Sequence, residues 1–266
     1  MVRMPAQPPP EYHSVSMRRY FILFAALFCP CIQTALAERE QHEPRMSREP
    51  VYPAQAGLYF DSRYVTEGLD NLSGNGLLSA SFEILIGDNI TFVPWLAHSD
   101  RSDYTELNLN LATSFDIDGA VELYVSYNHI RSRSGNLDDN DNELGAVLVY
   151  PGAAGLDVLL DAYYSFEAGG SFIEIAARNE QGFSPAIRMN TSAVLGYNAG
   201  YVAEGHRGLN HFQLKAEVSC LFRERIELTT YAGYNIAIDS EPALYAGDAA
   251  LRDFFWAGAG LAYYFD

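Results

Sequence analysis

The chain has 266 residues, of which 19% are charged and 13% aromatic, and its formal net charge is −17. That acidity excludes a nucleic-acid binder, which needs a basic face. Lys215 is its only lysine, whereas soluble proteins usually carry many on their surface, and 18 Tyr with 21 Gly favour strands over helices.

Residues 1–16 are Pro-rich and patternless, which suggests translation from Met17. From there the chain shows Arg18-Arg19, an apolar run over 20–28 and Ala35-Leu36-Ala37. A basic start, a short apolar run and a small-residue cleavage site make a signal peptide, cut before Glu38. The run is too short to span a bilayer, which takes about 20 residues. Cys29 and Cys31 lack the small residues that precede a lipoprotein cysteine, so no lipid anchor is expected. Cleavage removes Arg3, Arg18, Arg19 and Glu11, taking the charge from −17 to −19, and leaves Cys220 as the single cysteine. An exported chain without internal disulfides needs other stabilisation, and a closed hydrogen-bonded barrel supplies it. Residues 38–56, with Pro44, Pro50 and Pro53, read as a flexible periplasmic leader.

Beyond residue 56 the spacing predicts twelve strands, at 58–66, 77–86, 90–98, 104–117, 121–130, 143–150, 156–166, 172–178, 194–203, 211–222, 226–238 and 254–265. In 104–130, Leu107, Leu109, Leu111 and Phe115 alternate with Glu106, Asn108, Asn110 and Ser114. After the turn 116–120, Leu123, Val125 and Tyr127 alternate with Glu122, Tyr124 and Ser126. A period of two puts each set on one face of a strand. Tight turns at 87–89, 118–120, 151–155 and around Glu224 alternate with polar loops at 69–76, 99–103, 132–142, 204–210 and 239–253. That is the asymmetry of a transmembrane barrel, short turns inside and longer loops outside. Two connections break the rule: 167–171 is short, and 179–191 is long. Pro94 implies a bulge in the third strand.

Alternation alone leaves the faces undecided, because a soluble lipocalin-like barrel also alternates. Twelve strands enclose more space than side chains fill, which argues for a wet interior. The expected fold is all-β, a transmembrane up-and-down antiparallel barrel of twelve strands. Its lumen is expected to carry Asp61, Arg63, Glu83, Glu106, Asn108, Asn110, Glu122, Asp157, Asp161, Glu174, Lys215, Glu217 and Glu227. Leu107, Leu109, Leu111, Leu123, Val125, Leu228 and Leu261 are expected to face lipid. Tyr64, Phe115, Tyr127, Phe166, Phe222, Phe255 and Phe265 fall near strand ends, as in the aromatic girdles of outer-membrane barrels.

Phe255, Ala257, Ala259, Leu261, Tyr263 and Phe265 share one face of the last strand. The ending 260–265 resembles the C-terminal insertion signal of Gram-negative outer-membrane proteins, which implies recognition by the barrel-insertion machinery. The opening strand, Gly57-Leu58-Tyr59-Phe60-Asp61-Ser62-Arg63-Tyr64-Val65-Thr66-Glu67-Gly68, resembles that of the TorF-type porin family. Those small outer-membrane barrels start with an aromatic strand ending in Tyr-Val-x-x-Gly. The family often has Arg before that glycine, where Glu67 stands here. The resemblance implies a porin-like role.

No phosphate loop, metal-ligand spacing or nucleophile motif is present, so no cofactor, metal or catalytic residue is expected. Residues 136–142 have the composition of a calcium loop without its Gly and Glu spacing. They read as a solvated loop, with divalent-cation binding as the alternative. The leading expectation is passive diffusion of small hydrophilic solutes across a Gram-negative outer membrane, with a cation bias. The alternatives are a closed barrel that docks a partner through its loops or leader, and a lipid hydrolase built around His129.

Overall fold

The computed structural model describes residues 53–265, apart from 88, 119, 120, 153 and 154. The upstream stretch, the signal segment and the leader up to residue 52 lie outside the described residues.

The strands are β1 (Ala54–Asp61), β2 (Val65–Thr66), β3 (Leu69–Asp70), β4 (Leu77–Ile86), β5 (Ile90–Ser99), β6 (Tyr104–Ile117) and β7 (Val121–Ser134). They continue as β8 (Leu137–Pro151), β9 (Leu156–Ser165), β10 (Gly170–Ser184), β11 (Ile187–Ala199), β12 (Gly208–Phe222), β13 (Ile226–Ala237) and β14 (Phe254–Phe265). From β4 to β14 each strand pairs antiparallel with the next, β2 pairs with β3, and β1 pairs both β4 and β14. Twelve strands therefore close a barrel, with β2 and β3 as a separate small hairpin. Closure leaves no open edge of unpaired backbone groups.

The pairing carries the alternation from strand to strand. Leu111 lies opposite Tyr127 and Asn110 opposite Asn128, so the polar and apolar sets keep to opposite faces of the wall. Slipping one strand by a residue would exchange them. The outer face of every barrel strand bears an exposed apolar side chain, among them Leu58 (51%), Leu111 (47%) and Leu261 (50%). Soluble monomers rarely expose contiguous apolar patches beyond a few hundred Å², and here the apolar surface runs round the whole barrel.

Several expectations are corrected. The first strand spans Ala54–Asp61, not 58–66, so the last leader residues already belong to the wall. At Ser62 the chain leaves the sheet, its N–H donating to the Ala257 carbonyl at 2.8 Å. The long connection expected at 179–191 is strand, because Asn179 pairs with Thr191 and the turn is only Pro185-Ala186. Like the connection between β12 and β13, it is a short turn rather than a loop. Residues 137–142 are not a solvated loop either, but the start of β8, paired with 129–134. Pro94 makes no bulge: Ser81 opposite Trp95 and Ile84 opposite Phe92 share one register. The missing N–H interrupts the ladder without shifting it.

Glycines on the wall make room for rings laid flat against it. A Cβ at Gly260 would sit 2.2 Å from the Tyr59 ring, one at Gly258 2.3 Å from Tyr231, and one at Gly233 2.6 Å from Trp256. Gly260→Val should therefore lower barrel stability by about 1–3 kcal/mol, read from urea unfolding in lipid vesicles. Adding Tyr59→Ala should recover most of the loss. An unchanged midpoint for Gly260→Val would contradict this packing.

Candidate functional site

One end of the barrel carries the longer connections, at 62–76, 200–207 and 238–253. The first, loop 1, turns back into the mouth instead of projecting from it. Its tip is Glu67-Gly68 between β2 and β3, with φ of 49° and 71°. Two left-handed residues between paired strands are what a tight hairpin turn requires. Gly68 meets this need without strain, and a Cβ there would lie 2.3 Å from the His211 ring.

Three sets of contacts seat loop 1. At its base, Leu72, Leu77 and Ala97 form a small buried cluster, packed by Tyr64, Trp95 and Tyr104. At its tip, the Asn210 amide donates to the Glu67 carbonyl at 2.5 Å and the Asn235 amide to the Gly68 carbonyl at 2.8 Å. The Tyr163 hydroxyl donates to Glu67 Oε1 at 2.7 Å. At its side, Asp70 is buried, pairs with Arg63 and with Arg252 (2.7 Å), and accepts the Gly74 N–H at 2.9 Å. Burial pushes the Asp70 carboxyl up, but the Gly74 N–H and both guanidinium groups outweigh it and hold the group below the usual range. Such a group stabilises the fold above its ordinary pKa and loses that contribution as pH falls through its lowered value.

The other two loops close over the mouth. In 200–207, Tyr201 donates to Glu143 and stands edge-on to the Tyr163 ring, with centroids 4.9 Å apart. In 238–253, Asp248 accepts the His206 N–H at 3.0 Å and lies 2.9 Å from its Nδ1. His206 Nε2 meets the Leu209 carbonyl at 2.8 Å. Burial opposes the charged ring, but the Leu209 carbonyl and Asp248 prevail and raise its pKa.

Beneath loop 1 lies a cavity of about 460 Å³. Of the residues expected in the lumen, the structure brings Glu106, Asn108, Asn110, Asp161 and Glu174 together around it. Glu106 accepts the hydroxyls of Tyr64, at 2.8 Å, and of Tyr104. The others are spread along the inner wall in separate pairs. Tyr231 donates to Asp61 (2.7 Å), Gln55 to Glu83 (2.8 Å) and Tyr124 to Glu122 (2.6 Å). Arg178 pairs with Asp157 (2.9 Å), Arg188 with Glu227 (2.8 Å) and Lys215 with Glu217 (2.8 Å). Lys215 Nζ also lies 4.7 Å from the Tyr231 ring centre. Arg63 departs from expectation, since it sits in loop 1 against Phe254 and Asp70 rather than on the strand wall.

On the outer face, Leu107, Leu111, Val125 and Leu261 are exposed, and Leu109, Leu123 and Leu228 are half-buried by their neighbours. Phe115, Tyr127, Phe166, Phe255 and Phe265 are exposed, and Phe222 is half-buried. Tyr64 does not belong to this outer ring. The chain has already left the wall at Ser62, so its ring turns inward, 6.3 Å from Trp95 and 5.8 Å from Tyr104. His129 Nδ1 lies 3.0 Å from Asn142 Oδ1, which also accepts the Tyr127 hydroxyl at 2.7 Å. Its near partner is thus an amide rather than a hydroxyl nucleophile.

Sequence reasoning missed Glu67, Asp70, Glu143, Tyr163, Tyr201 and His211. Glu143 and Tyr163 occupy inward positions that alternation marks. Glu67 and Asp70 carry no periodic signal, and their partners Tyr163 and Arg252 lie far along the chain.

No family model matches the chain, and no curated protein matches it. Solved structures do. A KdgM porin superposes with a TM-score of 0.57 at 8% identity, covering 80% of this chain and 99% of that one. A NanC porin superposes with a TM-score of 0.54 at 8% identity, covering 80% of this chain and 100% of that one. At this identity the likeness is one of fold, a closed antiparallel all-β barrel.

Removing the charge that clamps loop 1 tests the seating. Asp70→Asn should destabilise the loop by about 1–3 kcal/mol. Amide exchange across 64–76 should quicken while the barrel's unfolding midpoint shifts less. Unchanged exchange there would contradict a role for Asp70 in seating the loop.

Proposed function

We propose that the barrel spans the outer membrane of a Gram-negative bacterium, reached through a cleaved signal peptide, and passes small hydrophilic solutes by diffusion. The observation that carries this is the division of faces, with exposed apolar side chains around the outside and carboxylates, amides and tyrosines around the inside. Lipid contacts the first set, and the aromatic residues at the strand ends meet the interfaces. The terminal strand β14, which ends on Phe265, is the segment offered to the insertion machinery. The opening segment 57–68, with Tyr64-Val65 ahead of Gly68, supports placement in the TorF-type porin family.

The inner wall argues for a cation bias. Glu106, Glu143, Asp161 and Glu174 line the cavity, while Arg178, Arg188 and Lys215 are each paired with a carboxylate. A cavity wall rich in carboxylates favours cations over anions. A second KdgM porin structure is described in complex with disordered oligogalacturonate, an anionic sugar chain. This lumen favours neutral or cationic solutes instead. A second reading is a barrel kept shut by its loops and used to dock a partner, which the insertion of loop 1 into the mouth favours.

Refolded full-length protein in a planar bilayer should show discrete conductance, with a reversal potential of cationic sign in a salt gradient. Absence of current under all conditions would favour the closed reading, and a clear anion preference would overturn the cation bias.

A further inference from the structure

Loop 1 crosses the mouth and is held on the far wall by a few polar contacts at its tip. Glu67 is the residue at that tip whose charge bears on them. Its carboxyl accepts from Tyr163 on β9 and faces Glu106 on β6, Glu143 on β8 and Glu174 on β10 across the cavity. Asp161 on β9, Tyr64, Tyr201 and His211 also line that cavity. The nearby cations Arg63 and Arg252 are taken up by Asp70. We propose that loop 1 is a pH-sensitive gate, seated across the lumen while Glu67 is neutral and released when Glu67 ionises among the carboxylates around it.

Enclosure by the barrel raises the Glu67 carboxyl from 4.5 to about 7, and the charges of Glu143 and Glu106 add to the effect against the hydrogen bonds from Thr66 and Tyr163. The sign follows from linkage. An acid whose pKa is raised in the seated state favours that state at low pH, and the advantage disappears as pH rises towards the raised value. The Asp70 clamp has the opposite dependence and fails only as pH falls below the ordinary carboxylate range. Loop 1 is therefore held most firmly in mildly acidic medium and loosens through neutrality. Water in the cavity screens the charges, so the seated-to-released ratio should fall on the order of tenfold to a hundredfold between about pH 5 and 8.

The gate rests on reading the lumen as a passage, and two measurements on the full chain separate the ideas. The first is amide exchange of 64–70 in detergent-refolded protein at pH 5 and 8, corrected for intrinsic rates. The second is single-channel conductance at the same two pH values. The wild type should lose protection in 64–70 and gain open time at pH 8. Glu67→Gln retains the acceptor for Tyr163 without the charge and should stay protected, with low conductance at both values. A pH-dependent loss of protection with no current at either pH would support the gate while removing the passage. Wild-type protection that does not change with pH, or a Glu67→Gln variant that responds like the wild type, would overturn the gate.

Discussion

The structure depends on backbone hydrogen bonding closed into a ring. Antiparallel pairing runs from β1 through β4 and on to β14, and returns to β1. An open sheet would leave two rows of N–H and C=O groups without partners, each costing several kcal/mol where no water reaches. Once the ring is closed, the side chains are free to specialise. One face of each strand can be apolar without a core to bury it, and the other can be polar without a surface to solvate it. This inversion accounts for the near absence of lysine and for carboxylates placed in mid-strand.

The interior is not an empty tube. Rings lie flat over glycines along β13, β14 and β1, and ion pairs such as Arg188–Glu227 and Arg178–Asp157 tie neighbouring strands. Loop 1 then folds into the mouth, where its Leu72 packs with Leu77 of β4 and Ala97 of β5 in a small apolar cluster. The wall is held by a continuous ladder, whereas the tip of loop 1 is held by a few side-chain hydrogen bonds. The mouth is therefore the part of the molecule that a change of charge can move, because local openings draw on the least stable contacts.

Much of this was legible in the sequence where the hydrophobic pattern and the backbone ladder coincide. β4, β6 and β14 follow the expected bounds because each alternates cleanly between apolar and polar or small residues. The pattern fails where strands continue beyond the apolar zone. In β7 and β8, Arg131 and Arg133 lie opposite Asn140 and Asp138, so pairing persists after the apolar alternation has stopped. At β10 and β11 the turn is Pro185-Ala186, without the Gly or Asn that marks a hairpin, and the polar flanks read as a loop. Tyr64 failed for a different reason: its parity was right, but the chain leaves the wall two residues earlier. The contacts of Glu67 with Tyr163 and of Asp70 with Arg252 join residues far apart in sequence, and periodicity carries no information about them.

The central claim is that adjacent residues on one strand face lipid and water in turn, and Asn110 with Leu111 tests it most directly. Each is replaced by Arg in a separate variant, and unfolding free energy is measured in lipid vesicles. Leu111→Arg should cost roughly 2–4 kcal/mol, the range for a cation on the lipid face near the midplane. Asn110→Arg, placed among carboxylates in the wet lumen, should cost far less. Equal costs, or the reverse order, would contradict the assignment of the two faces.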